Sequence, residues 1–365
     1  MRRVLRAFLV AVGLFWLLLP VTKAAPVASV YERWFPKMDP AIERGLRYLQ
    51  SQERAGGGFD GGWYGRSCGI SGLVGMSYLA KGYLPTEGPY AESLQRIIRY
   101  LLKDQHRSGL FDAGEGGQGP MYGHTIATLF LSEVSGMVDR KLQEQISPAL
   151  ARATHLILRA QAVKKGPRHQ GGWRYHPGSR DSDTSCSGWA LLALQSARLN
   201  GAAVPEEALE QAVAYLLKNF SSEEGHFGYA SIGSHKETLT GMGLLCLELN
   251  GWHGRAETRK AGDFILANLE KMPGREFEVY GNYYNAQATF QLGDAWWGTY
   301  ADWMYAHYLK EQREDGAWFG KEAGPVYGTA MMVLAFTVPY RQLPIYQREG
   351  DRRARGLVVE EKTGE

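Results

Sequence analysis

Six times along this chain of 365 residues, the end of an amphipathic stretch leads through a glycine-rich aromatic turn into a strongly apolar stretch. The ends carry an amide at Gln52, Gln105, Gln161, Asn219, Asn268 and Gln312, at spacings of 53, 56, 58, 49 and 44 residues. An aromatic-plus-apolar pair precedes most of them, as in Tyr48-Leu49, Tyr215-Leu216 and Tyr308-Leu309. The turns run from Gly61 to Trp63, Gly109 to Phe111, Gly171 to Trp173, Gly225 to Phe227 and Gly316 to Trp318, and the fifth unit has no clean copy. Self-similarity at this period marks a repeat array, in which one unit cannot bury its apolar face alone and stacked neighbours can.

The fourth unit shows what each repeat folds into. Pro205 suits the first turn of a helix, and Glu206 and Glu207 follow near its positive end. Leu209, Val213, Leu216 and Leu217 then recur at helical spacing with Glu210, Gln211 and Lys218 on the opposite side, which predicts an amphipathic outer helix. Leu239 to Leu249 is apolar almost all round and predicts an inner helix. Further inner helices are predicted over Cys68 to Leu79, His124 to Val134, Thr184 to Leu199, Asn285 to Gln291 and Tyr327 to Thr337. An open solenoid needs polar caps, yet the first and last units are as apolar and aromatic as the middle ones. The fold class that follows is all-α, an α/α toroid of six outer–inner helix pairs closed into a ring.

The ends read differently. Arg2, Arg3 and Arg6 precede an uncharged, mostly apolar run from Ala7 to Val21, and Thr22-Lys23-Ala24 before Ala25 offers a cleavage point. The run is short for a membrane span and suits a signal peptide over 1–24, which predicts an exported protein, periplasmic or secreted, touching a membrane only through that segment. Without these residues the formal charge of +3 becomes −1, because four cations and no acid leave. No long basic run remains, so no nucleic-acid partner is expected. The repeat domain spans 25–346, with Pro339 to Tyr346 as a closing strap, and 347–365 reads as a charged mobile tail. Cys68, Cys186 and Cys246 sit among small or apolar residues without a CxxC, which is no disulfide framework.

In a ring, the turns deliver the inner-helix starts to one mouth. Those starts are polar and aromatic: Trp63, Tyr64, Arg66 and Cys68; Tyr122 and His124; Asp181, Asp183 and Thr184; His235 and Glu237; Asn282, Tyr283 and Tyr284; Tyr327. A concave aromatic site with a few convergent polar groups is the natural place for a ligand. Asp183, Asp181, His124 and Glu237 are the candidates for acid–base chemistry, with a carboxylate beside a histidine as the working pair. Asp183 and Thr184 are also good helix caps. No metal site or cofactor is predicted.

The glutamine-ended helix followed by a Gly-rich turn and Trp or Phe resembles the repeat of the squalene-cyclase-like superfamily of terpenoid cyclases and protein prenyltransferases. Gln161 with Gly171-Gly172-Trp173 and Gln312 with Gly316-Ala317-Trp318 carry the resemblance best, and it extends from Ala41 to Tyr340. It implies an α/α toroid whose central cavity holds isoprenoid chains. It also implies a DxDDT acid or a zinc site, and neither is intact here. Aligned on Thr184 and Trp189, the motif reads Arg180-Asp181-Ser182-Asp183-Thr184, with Ser182 in the proton-donor position. The prenyltransferase histidine has no counterpart within 183–186, and no Asp-x-Cys opens an inner helix.

Three function classes stand open: a toroid acting on or binding an isoprenoid-like hydrophobic ligand; a secreted polysaccharide lyase or glycosidase with a glycan ligand, using tyrosine, histidine and arginine or paired carboxylates; and a non-catalytic toroid that binds a ligand or protein.

Overall fold

The structure, a computed structural model, describes residues 27–62, 65–111 and 119–347. The expected signal segment 1–24, all but the first residue of the expected tail 347–365, and Trp63 and Tyr64 lie outside the described residues. Among the described residues, twelve α-helices follow one another: α1 (Val27–Ser51), α2 (Cys68–Lys81), α3 (Ala91–Asp104), α4 (Met121–Val134), α5 (Arg140–Ala162), α6 (Thr184–Leu199), α7 (Glu206–Leu217), α8 (Lys236–Leu249), α9 (Ala256–Ala267), α10 (Glu278–Leu292), α11 (Asp294–Tyr308) and α12 (Gly324–Phe336). No described residue belongs to a strand, and no described helix is long and apolar enough to cross a membrane.

The even-numbered helices form the inner layer. Each packs on the next, and α12 returns to α2, so the ring is closed. They can do this because they are apolar on every side: Cys68 to Ala80 is buried without interruption. The odd-numbered helices wrap the outside with one buried stripe, such as Leu94, Ile97, Ile98 and Leu101 on α3.

Two devices repeat at the corners. A glycine with positive φ sits against the main chain of the next outer helix. A Cβ on Gly109, Gly171, Gly225 or Gly316 would lie 2.5, 2.3, 2.7 or 2.6 Å from the carbonyl oxygen of Arg152, Gln211, Lys260 or Arg44. The aromatic residue two positions on in these four turns then donates its backbone N–H to a polar side chain of the following inner helix: Phe111 to His124, Trp173 to Ser187, Phe227 to Thr240 and Trp318 to Thr329.

The first unit uses the same device at Gly57-Gly58-Phe59, not at Gly61 to Trp63 as the sequence predicts. Gly57 has φ +93° against Arg96, and the Phe59 N–H donates to Ser71 Oγ at 3.1 Å. The fifth unit lacks the turn altogether, and a short 3₁₀ segment, Leu269–Lys271, stands in its place. There α10 starts seven residues before the predicted Asn285, at Glu278.

The strap, residues 338–346, crosses the C-terminal ends of the inner helices. Its Ile345 N–H donates to buried Glu133, and the Gln291 amide donates to the Tyr346 carbonyl. The three cysteines are buried, and none forms a disulfide.

Candidate functional site

With one end of the ring crossed by the strap, a cavity of about 380 Å³ lies at the other, among the N-termini of the inner helices. All six inner helices contribute to its wall. α2 and α4 approach closely where glycine faces glycine, and a Cβ on Gly69 would stand 3.0 Å from Gly123 Cα. The part of the wall deeper along the helices is apolar: Leu73, Ile126, Trp189 and Leu239.

Nearer the mouth the wall carries hydroxyls. Tyr122 donates to Ser185 Oγ at 2.9 Å, and Ser185 shares a 3.0 Å hydrogen bond with the Tyr280 hydroxyl, linking α4, α6 and α10. Burial pushes the Tyr122 and Tyr280 phenols well above their usual range, so both stay protonated at neutral pH. Tyr175 and Tyr229 share a second hydrogen bond, and the Arg174 guanidinium lies 4.2 and 5.2 Å from their ring centres.

The rim is strained. His235 and Phe277, the residues before α8 and α10, have φ of +54° and +62° although neither is glycine, and their rings meet edge to face at 5.7 Å. A non-glycine residue held there costs on the order of 1 kcal/mol or more, and such strain gathers at ligand sites. Glu276 and Glu322 add carboxylates to the wall. Burial pushes the Glu322 carboxyl up in pKa, against the backbone N–H groups of Glu322 itself and Phe277, and its buried Oε2 has no hydrogen-bond partner.

Of the residues predicted from sequence, the fold brings Tyr122, His235 and Tyr327 to this wall. Trp63 and Tyr64 lie outside the described residues, and the other predicted residues serve the scaffold. His124 is fully buried: Nδ1 accepts from the Phe111 N–H at 3.2 Å, so Nε2 carries the proton and donates to the Ala153 carbonyl at 3.3 Å. Burial depresses its pKa to about 4. Asp183 is also fully buried. One carboxylate oxygen caps α6 through the Cys186 N–H at 2.7 Å, and the other pairs with Arg174 at 3.0 Å. Burial raises its pKa, while Cys186 and Arg174 oppose the rise.

Asp181 holds the far side of Arg174 at 3.3 Å, and Glu237 pairs with Arg275 at 3.2 Å. Thr184 donates to the Gly228 carbonyl, and Ser182 Oγ turns to the His169 carbonyl. Cys68 contacts Asp104, and Arg66 donates to the Ala55 carbonyl. Asn282, Tyr283 and Tyr284 lie inside α10, because that helix begins earlier than the sequence suggests. Asn282 accepts from Tyr300, Tyr283 bonds Tyr346 of the strap, and Tyr284 packs edge-on to Trp189. None of these scaffold residues is among the described lining residues.

The sequence reading missed Ser185, Tyr175, Tyr229, Phe277 and Glu322. A signal existed for two of them. Trp173-Arg174-Tyr175 and Phe227-Gly228-Tyr229 place a tyrosine at the same offset from the turn aromatic.

No family model matches the chain, and no curated protein does. Solved structures do. The type II terpene cyclase MstE from Scytonema superposes with a TM-score of 0.54 at 16% identity, covering 84% of this chain and 100% of that one. A single-residue variant of the same cyclase, in complex with the substrate geranylgeranyl dihydroxybenzoate, gives 0.54 at 15% identity, over 86% of this chain and 100% of that one. An inactive variant of the α-1,6-mannanase GH76A of Salegentibacter sp. HEL1_6, in complex with α-1,6-mannotriose, gives 0.60 at 10% identity, over 82% and 98%. The chain therefore has the α/α-toroid fold that these terpene cyclase and glycosidase structures share. At these identities the likeness is one of fold.

Proposed function

We propose that the ring binds, in this cavity, one hydrophobic isoprenoid-like molecule whose polar end is uncharged or cationic. The carrying observation is the layering of the wall: Leu73, Ile126, Trp189 and Leu239 below, the Tyr122–Ser185–Tyr280 hydroxyls above, and no lysine or arginine among the described lining residues. Glu276 and Glu322 put carboxyl groups on that wall with no lysine or arginine among the described lining residues, so a diphosphate or a uronate would find no counter-charge there. The volume lies at the low end of the range of about 300–1,000 Å³ for small-molecule pockets, which suits one compact ligand. The cyclase variant named above binds a geranylgeranyl aryl substrate and the mannanase variant an oligosaccharide, so both chemistries occur on this fold. The apolar inner wall is the reason to prefer the first for this chain. Proton-initiated cyclisation of squalene at Asp183 is not part of the reading, since Ser182 and Asp183 are committed to His169, Cys186 and Arg174.

We also propose that the protein is exported by way of residues 1–24. The support is the cationic start, the short apolar run and the small residues after it.

The test is native mass spectrometry and tryptophan fluorescence with farnesol, farnesyl diphosphate and α-1,6-mannotriose. Farnesol should bind, the diphosphate should bind at least about tenfold more weakly, and Ser185→Ala should weaken farnesol. Binding of mannotriose without farnesol would replace this reading with the glycan one. The N-terminal residue of the protein recovered after export should be Ala25.

A further inference from the structure

The fifth unit breaks the repeat at its corner, where the glycine turn is missing. At that corner the end of α11 meets the start of α10. Glu278, His307 and Glu311 bring one ligand-type atom each to within 4.8 Å of one another. His307 Nε2 and Glu311 Oε1 are 3.3 Å apart, at an angle that makes no hydrogen bond, so the buried imidazole nitrogen has an ion-pair neighbour but no hydrogen-bond partner. Beside them the Tyr308 hydroxyl is also buried without a hydrogen bond of proper geometry, in a residue only 2% exposed. From this cluster we infer that Glu278, His307 and Glu311 hold one divalent first-row cation of the Zn²⁺ class.

The donor set fits such an ion. Imidazole nitrogen suits zinc and its neighbours, while two carboxylates cancel the charge and leave further positions for water. A tetrahedral ion with ligands at roughly 2.0–2.2 Å needs its donors about 3–3.5 Å apart. The His307–Glu311 pair already has that separation. Glu311, half exposed, has room to adjust. Two ligands are held in advance. The His307 ring stacks on Trp303 at 5.5 Å with 12° between planes and meets Tyr308 edge-on at 4.7 Å. The Gly274 N–H fixes Glu278 Oε2 at 2.7 Å. Held ligands of this kind raise metal affinity.

The Tyr308 hydroxyl faces the Glu278 carboxylate, a donor placed for a carboxylate or water of the coordination shell. The ion would clamp α11 to α10 where the repeat supplies no glycine turn. Glu278 directly follows Phe277 of the cavity wall, so the clamp would also steady the mouth.

The test is competitive titration of the tag-free, chelator-treated chain with Zn²⁺ against a chromophoric chelator, with melting temperature as a second readout. One equivalent should bind and raise the melting temperature. Glu311→Gln should weaken binding more than about tenfold, and His307→Ala should abolish it. His253→Ala, which alters another His–Glu pair at 2.6 Å, should leave the affinity unchanged. Absence of a stoichiometric site in the wild type, or affinities of Glu311→Gln and His307→Ala equal to wild type, would overturn the proposal. Should His307→Ala fail to fold, the half-exposed Glu311 position decides the outcome. Neither readout depends on the cavity ligand.

Discussion

The side-chain amide of Gln312, at the end of the last outer helix, donates to the main-chain oxygen of Ala41 in the first, at 2.8 Å and across 271 residues of sequence. The same amide donates to the Gly316 carbonyl of its own turn at 2.9 Å. Gln105 and Gln161 repeat the pattern, bridging Gly109 to Ala149 and Gly171 to Ala208. The ring is therefore closed by the hydrogen bond that joins its interior units.

Replacing that amide should open the joint. Gln312→Leu leaves the carbonyls of Ala41 and Gly316 without this donor and should cost about 1–3 kcal/mol. Gln161→Leu should cost a similar amount, because its amide donates to the matching pair of carbonyls. Gln52→Leu is the control: its amide reaches Ser51 Oγ beside it, and the change should be within about 0.5 kcal/mol. Denaturant unfolding of the three variants measures the order. Equal midpoints for Gln312→Leu and Gln52→Leu would mean that the clamp contributes nothing to closure.

The turn glycines should be intolerant for a different reason. Gly171 has φ +95°, and an added Cβ would stand 2.3 Å from the Gln211 carbonyl oxygen. Gly171→Ala combines left-handed strain with overpacking and should cost more than about 2 kcal/mol. A Cβ added at Gly178 would meet no atom within 4 Å, and Gly178→Ala should be close to neutral. Thermal melts of the pair give the comparison.

These two devices explain why the architecture is legible from sequence while the site is only partly so. A glycine and an amide at fixed places in each unit have one job and recur in phase. A polar residue at the start of an inner helix has two candidate jobs. It can face the cavity, as Tyr122 does, or accept the N–H of the preceding turn, as His124 does. The acceptor follows its aromatic by 12, 13, 14, 13 and 11 residues in the five units, so simple spacing does not reveal that His124 stands where Ser71, Ser187, Thr240 and Thr329 stand. Asn282, Tyr283 and Tyr284 read as mouth residues only because unit five has no turn from which to count.

That equivalence predicts a pH effect. The folded pKa of His124 is about 4, against about 6.5 in the unfolded chain, so the unfolded state takes up the proton first as pH falls. Stability due to this group is full above pH 6.5 and declines between pH 6.5 and 4, by up to about 3 kcal/mol. His124→Thr, which installs the residue type of the fourth and sixth units, should remove that part of the acid slope. The measurement is the difference between wild-type and variant unfolding free energies across the window, which isolates this group from the carboxylates. A difference that stays flat with pH would show that the histidine is protonated in place.

Asp183 supplies the sharpest separation of scaffold from site. Its carboxylate is buried and split between the α6 cap and Arg174, while Asp181 pairs with the outer side of the same guanidinium. Asp183→Asn keeps an oxygen for the Cys186 N–H but removes the charge facing Arg174. Breaking a buried pair from one side costs about 3–5 kcal/mol, well above the roughly 1 kcal/mol of a lone cap. Arg174→Met added to Asp183→Asn should recover part of the loss, because it removes a guanidinium that the single variant leaves with only the exposed Asp181. Farnesol affinity should fall far less than stability, since Asp183 is not part of the described wall. The double-mutant cycle in unfolding free energy, run beside the binding assay, measures both. Asp183→Asn with intact stability and abolished turnover of a polyene would return this residue to the role of a proton donor.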